Sequence, residues 1–187
     1  MAAFIATSIV AAASGVPTGF SCSSIGIDSL KKSTILSMAL WHAVGSVATI
    51  VLREASDDSA AADPVRASAV IGLTGALLLQ DKAAALAVYG GSFVGMSLPS
   101  RLVHGVLPGK VKEGGVPTST VASILAAFAV AGALGGFVHG ATIDGGFWPG
   151  GWGGKAGTCA FIGCLLYRGV AKAVAAMKGQ IGKKVMA

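Results

Sequence analysis

Charged side chains are scarce in this sequence: Asp, Glu, Lys and Arg together make up 12% of its 187 residues, whereas about 25% is usual for a soluble domain. Aromatic residues are also few, at 6%, so a water-soluble core would lack most of its largest side chains. Apolar residues, by contrast, reach 53%, and the mean hydropathy is +0.75. This balance argues against an ordinary soluble domain and indicates a chain whose main solvent is lipid.

The sequence also has little that could carry catalysis or bind a metal. Its three cysteines, Cys22, Cys159 and Cys164, show no C-x-x-C spacing. No Ser/His/Asp order, paired carboxylates or H-E-x-x-H pattern stands out. The stretch GGWGGKAG departs from a phosphate-binding loop, because Pro149 replaces its first glycine and Ala156 its Ser or Thr. We therefore predict that the protein is not an enzyme.

One stretch, Val116 to His139, runs for 24 residues without a charged side chain. About 20 apolar residues in a helix cross a hydrocarbon core roughly 30 Å thick. Pro117 and the hydroxyl residues after it are typical of a helix N-terminus. The pattern predicts a membrane-spanning helix over 117–139.

Four further apolar stretches lie between charged or turn-forming boundaries. Two of them are separated only by Asp81 and Lys82, which one continuous span would bury at mid-membrane at high cost. The last stretch reaches Arg168 after 11 apolar residues, so it spans only if its cations extend to the membrane surface. The sequence thus predicts an all-α, polytopic membrane protein with four or five transmembrane helices. The predicted spans are 34–52, 67–80, 83–98, 117–139 and 157–175.

Glycine and alanine form flat faces on these predicted helices. Gly132, Gly136 and Gly140 recur at every fourth position, and so do Gly91 and Gly95. Helices in lipid associate through van der Waals contact between small residues at this spacing. We expect these five glycines to pack against other helices or flat ligands.

The predicted transmembrane domain covers 34–175 and leaves two terminal segments. Residues 1–33 are apolar and Ser-rich, and we interpret them either as a targeting remnant or as a segment lying on the membrane surface. Residues 176–187 form a basic C-terminal tail. The stretch ATIDGGFWPGGWGGKAG is too rich in glycine for a helix, and its aromatic side chains indicate an interfacial loop.

The basic residues predict the orientation of the chain in the membrane. The net charge is +6, but these residues lie at the ends of apolar runs without aromatic side chains between them, so nucleic acid is not an expected partner. With five spans, one side of the membrane collects four Lys and Arg residues and the other side ten. The positive-inside rule then predicts an external or lumenal N-terminus and a C-terminus in the cytoplasm, stroma or matrix. We expect an organellar membrane, either thylakoid or inner mitochondrial.

All three histidines of the chain lie in or beside predicted spans: His42 at the middle of the first, His104 after the third and His139 at the end of the fourth. Neutral imidazole can ligate haem iron, and the same lone pair can ligate the magnesium of chlorophyll. All three are therefore candidates for cofactor binding, with chlorophyll as the cofactor. The alternative is a hydrogen bond to a neighbouring helix. The different depths predicted for His42 and the other two argue against one shared haem.

Two functions from different classes fit these patterns. The first is a non-catalytic accessory subunit of a photosystem or respiratory complex, which stabilises assembly and holds pigment or lipid, with other subunits and the bilayer as its partners. The second is a small transporter or channel for a neutral solute, since short, glycine-interrupted spans are typical of transporters. No acidic side chain is predicted inside a span, which argues against ion-coupled transport and favours the subunit.

Overall fold

The computed structural model describes residues 32–54, 63–103, 118–143 and 151–185. Within these ranges the backbone is almost entirely helical and contains no strand, which confirms the all-α fold class for this part of the chain. The helices in chain order are α1 Lys32–Glu54, α2 Pro64–Leu78, α3 Lys82–Gly95, α4 Pro99–Leu102, α5 Thr118–Ala141 and α6 Trp152–Val185.

Three segments of these helices are long and apolar enough to cross a membrane: Thr34–Glu54, Val121–Ala141 and Gly153–Lys178. Large apolar side chains such as Leu40 and Phe161 are exposed on the outer surface, where lipid would cover them. The helices α2 and α3 have 15 and 14 residues, so each rises only about 21 to 23 Å. That length is short of a hydrocarbon core about 30 Å thick.

Helix α1 runs antiparallel to α5. Near one end of the pair, Gly140 lies against Ile35, and nearer its middle Gly132 lies against the backbone of His42. Helix α6 runs antiparallel to α5 in turn, since Gly135 packs against the backbone of Cys159, and Gly163, later in α6, packs against that of Ala131, earlier in α5. Helices α1 and α6 therefore point in the same direction.

Helices α2 and α3 form an antiparallel hairpin that packs on α1. Within the hairpin, Gly72 lies against the ring of Tyr89, and the hydroxyls of Ser68 and Ser92 share a hydrogen bond of 2.7 Å. A side chain on Gly95 would meet Thr49, so the end of α3 lies beside the second half of α1. The directions of α1, α2, α3, α5 and α6 consequently alternate along the chain.

Glycine lets the backbones of α1 and α3 approach closely. A Cβ atom on Gly91 would collide with the carbonyl group of His42, and one on Gly45 would collide with that of Val88. Each glycine thus receives the other helix's carbonyl group in the space that a side chain would fill. Helix α1 has α3 on one side and α5 on another, and its packing to both depends on missing side chains.

Helix α6 differs most from the sequence prediction. It begins at Trp152 rather than at residue 157, and it continues to Val185 through most of the predicted basic tail. Residues 152–157 of the glycine-rich stretch are therefore helical, and the prediction of a loop is wrong for them, whereas Thr142 and Ile143 form a turn. The physical reason is tertiary: Lys155 and Ala156 are buried against the bundle, and such packing overrides the low helix propensity of glycine.

Other predictions concern residues that lie outside the described ranges. His104 and Pro117 are among them, as is all of the N-terminal segment 1–33 except its last two residues. The connection after the third predicted span is described only to residue 103, and it begins with the short helix α4.

Candidate functional site

A pair of histidines occupies the interior of the bundle. His42 on α1 and His139 on α5 are both fully buried, and Nε2 of His42 lies 2.9 Å from Nδ1 of His139. The ring centroids are 5.2 Å apart and the rings are perpendicular. This distance and arrangement are those of one imidazole–imidazole hydrogen bond.

The two side chains meet because helices direct their Cβ atoms toward the helix N-terminus. His42 consequently leans back toward the level of Met38, and His139 leans back toward the level of Gly136. Met38 and Gly136 are in contact across the antiparallel helix pair. The two backbones lie at different heights, but the imidazoles reach the same height.

Glycines on two helices make room for the pair. A Cβ atom on Gly90 of α3 would lie 2.5 Å from Cε1 and 2.7 Å from Nε2 of His42, and one on Gly136 of α5 would lie 2.8 Å from Cβ of His42. No alanine fits at either position without displacing the imidazole or the helix. The sequence thus creates the cavity for His42 by omitting side chains on both neighbouring helices.

Each imidazole uses one nitrogen in this bond and has one nitrogen left. The remaining atoms, Nδ1 of His42 and Nε2 of His139, are buried and have no hydrogen-bond partner among the described residues. A neutral imidazole carries one donor and one acceptor nitrogen. Whichever ring donates, the pair retains one N–H and one lone pair at its two outer nitrogens. The pair can therefore donate, accept or ligate at its ends. Its tautomers exchange when one outer nitrogen takes up a proton, the shared proton crosses the bond, and the other outer nitrogen releases a proton.

Two hydroxyl groups on α1, near the histidine pair, each donate a hydrogen bond to a backbone carbonyl group. Ser46 donates to the carbonyl of Phe128 on α5 over 2.9 Å, and Thr49 donates to the carbonyl of Gly45 over 2.8 Å. Both side chains are fully buried. In a membrane interior, where unpaired polar groups are costly, these bonds let α1 carry polar residues on its packed face.

A buried lysine closes one end of the site. Lys155 on α6 donates from Nζ to the carbonyl oxygens of Thr142 and Ile143, which follow directly after α5. Cations are stabilising near a helix C-terminus, because the last carbonyl groups have no partner in the helix. Lys155 thus acts as a side-chain cap for the C-terminus of α5. Its first acceptor, Thr142, follows His139 by three residues.

A buried arginine caps another helix in the same way at the other end of the bundle. Arg53, near the end of α1, donates from Nη1 to the carbonyl of Gly95 at 2.9 Å and to that of Ser97 at 3.1 Å. Gly95 is the last residue of α3, and Ser97 follows two residues later. Arg53 and Lys155 therefore join the ends of neighbouring helices by charge-assisted hydrogen bonds.

The structure brings together two of the three candidate histidines, His42 and His139, whereas His104 lies outside the described residues. The different depths predicted for His42 and His139 are wrong for their imidazoles, because the argument counted backbone positions and ignored the tilt of the side chains. The expectation that the two histidines share no haem stays a prediction. Arg53 and Lys155 were interpreted only as topology signals. The position of a basic residue at the edge of a predicted span does not show whether it only marks the membrane boundary or also caps a neighbouring helix.

A bound pigment would have to share this enclosed space. In the present arrangement, a macrocycle ligated at either outer nitrogen would separate α1 or α5 from a neighbouring helix, because both nitrogens are buried in the packed bundle. Among the described residues, no three His, Cys, Asp or Glu side chains come close enough to hold a metal ion. Ligation of chlorophyll by these histidines stays a prediction, for which absorption is the direct test.

Comparison of the chain with protein-family models, with curated proteins and with solved structures gave no match.

Proposed function

We propose that this protein is a non-catalytic accessory subunit of a larger energy-converting membrane complex, of photosynthetic or respiratory type. In this proposal it stabilises the assembly and holds lipid or pigment in an organellar membrane. Helices α2 and α3 span as a short hairpin, which gives five spans with an external N-terminus and an internal C-terminus.

The observation that supports the proposal most is the close packing of α1 on glycines of α3 and α5. Gly91 and Gly95 on α3 and Gly132 and Gly136 on α5 all lie close to backbone atoms of α1, and Gly95 also contacts the side chain of Thr49. A transporter that alternates between two states needs helices that rock or slide against one another. Contacts made through backbone atoms support a static scaffold instead, because small displacements would cause collisions.

The alternating directions of α1, α2, α3, α5 and α6 support the proposed topology. Lys82 at the start of α3 and Lys155 near the start of α6 belong to one face of the bundle, since these two helices run in the same direction. Arg53 in the last turn of α1 and Arg101 after the end of α3 lie on the opposite face. This division agrees with the asymmetry of Lys and Arg that the positive-inside rule uses.

The histidine pair supports the energy-converting assignment. Ionisable side chains inside membrane segments are costly and are typical of ligand and proton sites. The outer nitrogens of His42 and His139 remain open to a proton or to a ligand after the two rings have bonded to each other. A simple structural contact would not require two imidazoles whose outer nitrogens stay unpartnered.

The test is the size and colour of the native assembly. Mild solubilisation and native electrophoresis should show the protein comigrating with a large pigmented or redox-active complex, and the purified assembly should absorb visible light. A His42→Leu variant should still insert but should lose a chromophore or shift an absorption band. A colourless homo-oligomer that moves a neutral solute into liposomes would overturn the proposal.

A further inference from the structure

A groove of about 480 Å³ runs along the outside of the α2–α3 hairpin. This volume falls in the range of roughly 300 to 1,000 Å³ that is usual for small-molecule sites. The apolar part of the groove extends from the turn between the helices to the ring of Tyr89. Tyr89 lies seven residues into α3, so this part is about 10 Å long. The residues that line it include Gly72, Ala76, Leu79, Lys82, Ala85 and Tyr89.

Small residues make the groove, and a large ring ends it. Gly72 and Ala76 on α2 face Ala85 on α3, so the hairpin presents a channel rather than a ridge. At the far end, the ring of Tyr89 packs on Gly72, where a Cβ atom would lie 2.6 Å from Cδ2. An apolar groove of this length suits a single flexible hydrocarbon chain.

The open end of the groove carries a positive charge. Lys82 is the first residue of α3 and is exposed. The neighbouring carboxylate of Asp81 does not line this groove: it caps α3 by accepting from the amide of Ala83, and it lines a separate pocket with Thr34 of α1. The two adjacent charges therefore point to different sides of the hairpin.

Because the hairpin is short, we expect Lys82 to lie where it can bind an anion. With α2 and α3 each rising about 21 to 23 Å, the turn reaches the headgroup level only if the bilayer thins or the lysine stem extends toward it. A lipid phosphate offers this lysine a counter-charge at the height that the stem reaches.

We infer that this groove binds one phospholipid with an anionic headgroup, whose acyl chain lies between α2 and α3 and whose headgroup contacts Nζ of Lys82. The inference rests on the proposed function, because it names the lipid that the subunit holds. The lipid inference is tested with the purified protein alone. Lipid binding can therefore be absent while the protein still comigrates with a complex, and it can be present while comigration is absent.

Native mass spectrometry of the full chain tests the inference with three probes: palmitoyl-oleoyl phosphatidylglycerol, the matching phosphatidylcholine, and oleate. We expect one phosphatidylglycerol to remain bound at activation energies that remove phosphatidylcholine. Lys82→Gln should weaken phosphatidylglycerol binding about fivefold, the change expected for one lysine at a membrane surface. Lys172→Gln, which removes an exposed lysine on α6, should leave binding unchanged.

A second pair of variants tests the apolar part of the groove. Ala76→Phe should fill the channel and reduce the binding of both phospholipids, whereas Ala126→Phe, at an exposed position on α5, should not. Circular dichroism and elution volume verify that each variant is folded. Equal retention of phosphatidylglycerol by wild type and Lys82→Gln, an equal loss in Lys172→Gln, or preferential retention of oleate would overturn the inference.

Discussion

His42 and His139 are 97 residues apart in the chain, and one hydrogen bond of 2.9 Å joins their imidazoles inside the bundle. The bond connects the first half of α1 to the last turn of α5. It depends on three features at once: the antiparallel packing of the two helices, the tilt of side chains toward helix N-termini, and the glycines that leave space around His42. The pair is therefore a product of the fold rather than of any local motif.

The first prediction concerns the energy of this bond. Replacing His139 by leucine removes the partner of a buried imidazole and should lower the free energy of unfolding by about 1 to 3 kcal/mol. The His42→Leu/His139→Leu double variant should be about 1 kcal/mol more stable than the sum of the single effects predicts. Unfolding by SDS titration from mild detergent measures both quantities.

A second cycle provides the control for that measurement. Tyr167 lies on α6 beside the core cluster that contains Phe128, far from His139 along the bundle. His139→Leu and Tyr167→Phe should therefore have additive effects. If the two histidine substitutions were also additive, the hydrogen bond would contribute nothing to stability.

The second prediction compares two glycines that differ only in surroundings. A Cβ atom on Gly136 would lie 2.7 Å from Cα of Ala39, whereas one on Gly169 of α6 would have no neighbour within 4 Å. Gly136→Leu should destabilise the bundle by about 1 to 3 kcal/mol or more, since overpacking forces backbones apart. Gly169→Leu should be neutral or stabilising by up to about 1 kcal/mol, because leucine has the higher helix propensity.

Thermal unfolding of the two glycine variants in the same detergent gives the comparison. The native-gel assay adds a second measurement, because loss of packing at Gly136 should also weaken assembly with a partner complex. Equal stability of Gly136→Leu and Gly169→Leu would mean that α1 and α5 are not held at this distance in the membrane.

The sequence predicted the helices well where composition alone decides them. Uncharged length located α1 and α5 to within two residues at each end, since a 20-residue apolar stretch in lipid has few alternatives to a helix. It failed at the start of α6, where glycine content suggested a loop. There the helix depends on contacts of Lys155 and Ala156 with residues far away in sequence, which a local pattern does not contain.

The histidine pair shows a different limit of sequence reasoning. Each histidine was recognised as unusual from its position in an apolar stretch, but the pairing needed the relative direction and register of α1 and α5. Spacing along one helix carries no information on register between two helices. The same limit applies to Arg53 and Lys155, whose acceptors are carbonyl groups of other helices.

The third prediction concerns Arg53. Arg53→Gln should cost about 1.5 to 3 kcal/mol of unfolding free energy, the range for hydrogen bonds to charged groups, because the carbonyls of Gly95 and Ser97 lose their donor. Arg53→Lys keeps the charge but has a different geometry, so an intermediate loss is expected. Arg66→Gln on the exposed side of α2 should change stability by less than about 0.5 kcal/mol. An equal effect of the two glutamine substitutions would contradict the capping role.

The last prediction concerns Lys155 and the end of α5. The amides of Thr142 and Ile143 bond to carbonyls one turn earlier, of Val138 and Gly140 respectively, and their own carbonyls accept from Lys155. Removing the ammonium group in Lys155→Gln should let this turn open more often. A loss of about 1.4 kcal/mol corresponds to tenfold faster amide exchange at these two residues.

Hydrogen exchange with mass spectrometry reads this effect peptide by peptide. The increase in Lys155→Gln should be confined to the peptide that contains the end of α5, because the rest of the helix is held by its glycine contacts with α1. Lys178→Gln, an exposed lysine further along α6, should leave that peptide unchanged. A uniform increase across α5 would instead mean that Lys155 stabilises the whole helix, and unchanged exchange would mean that α5 needs no cap from α6.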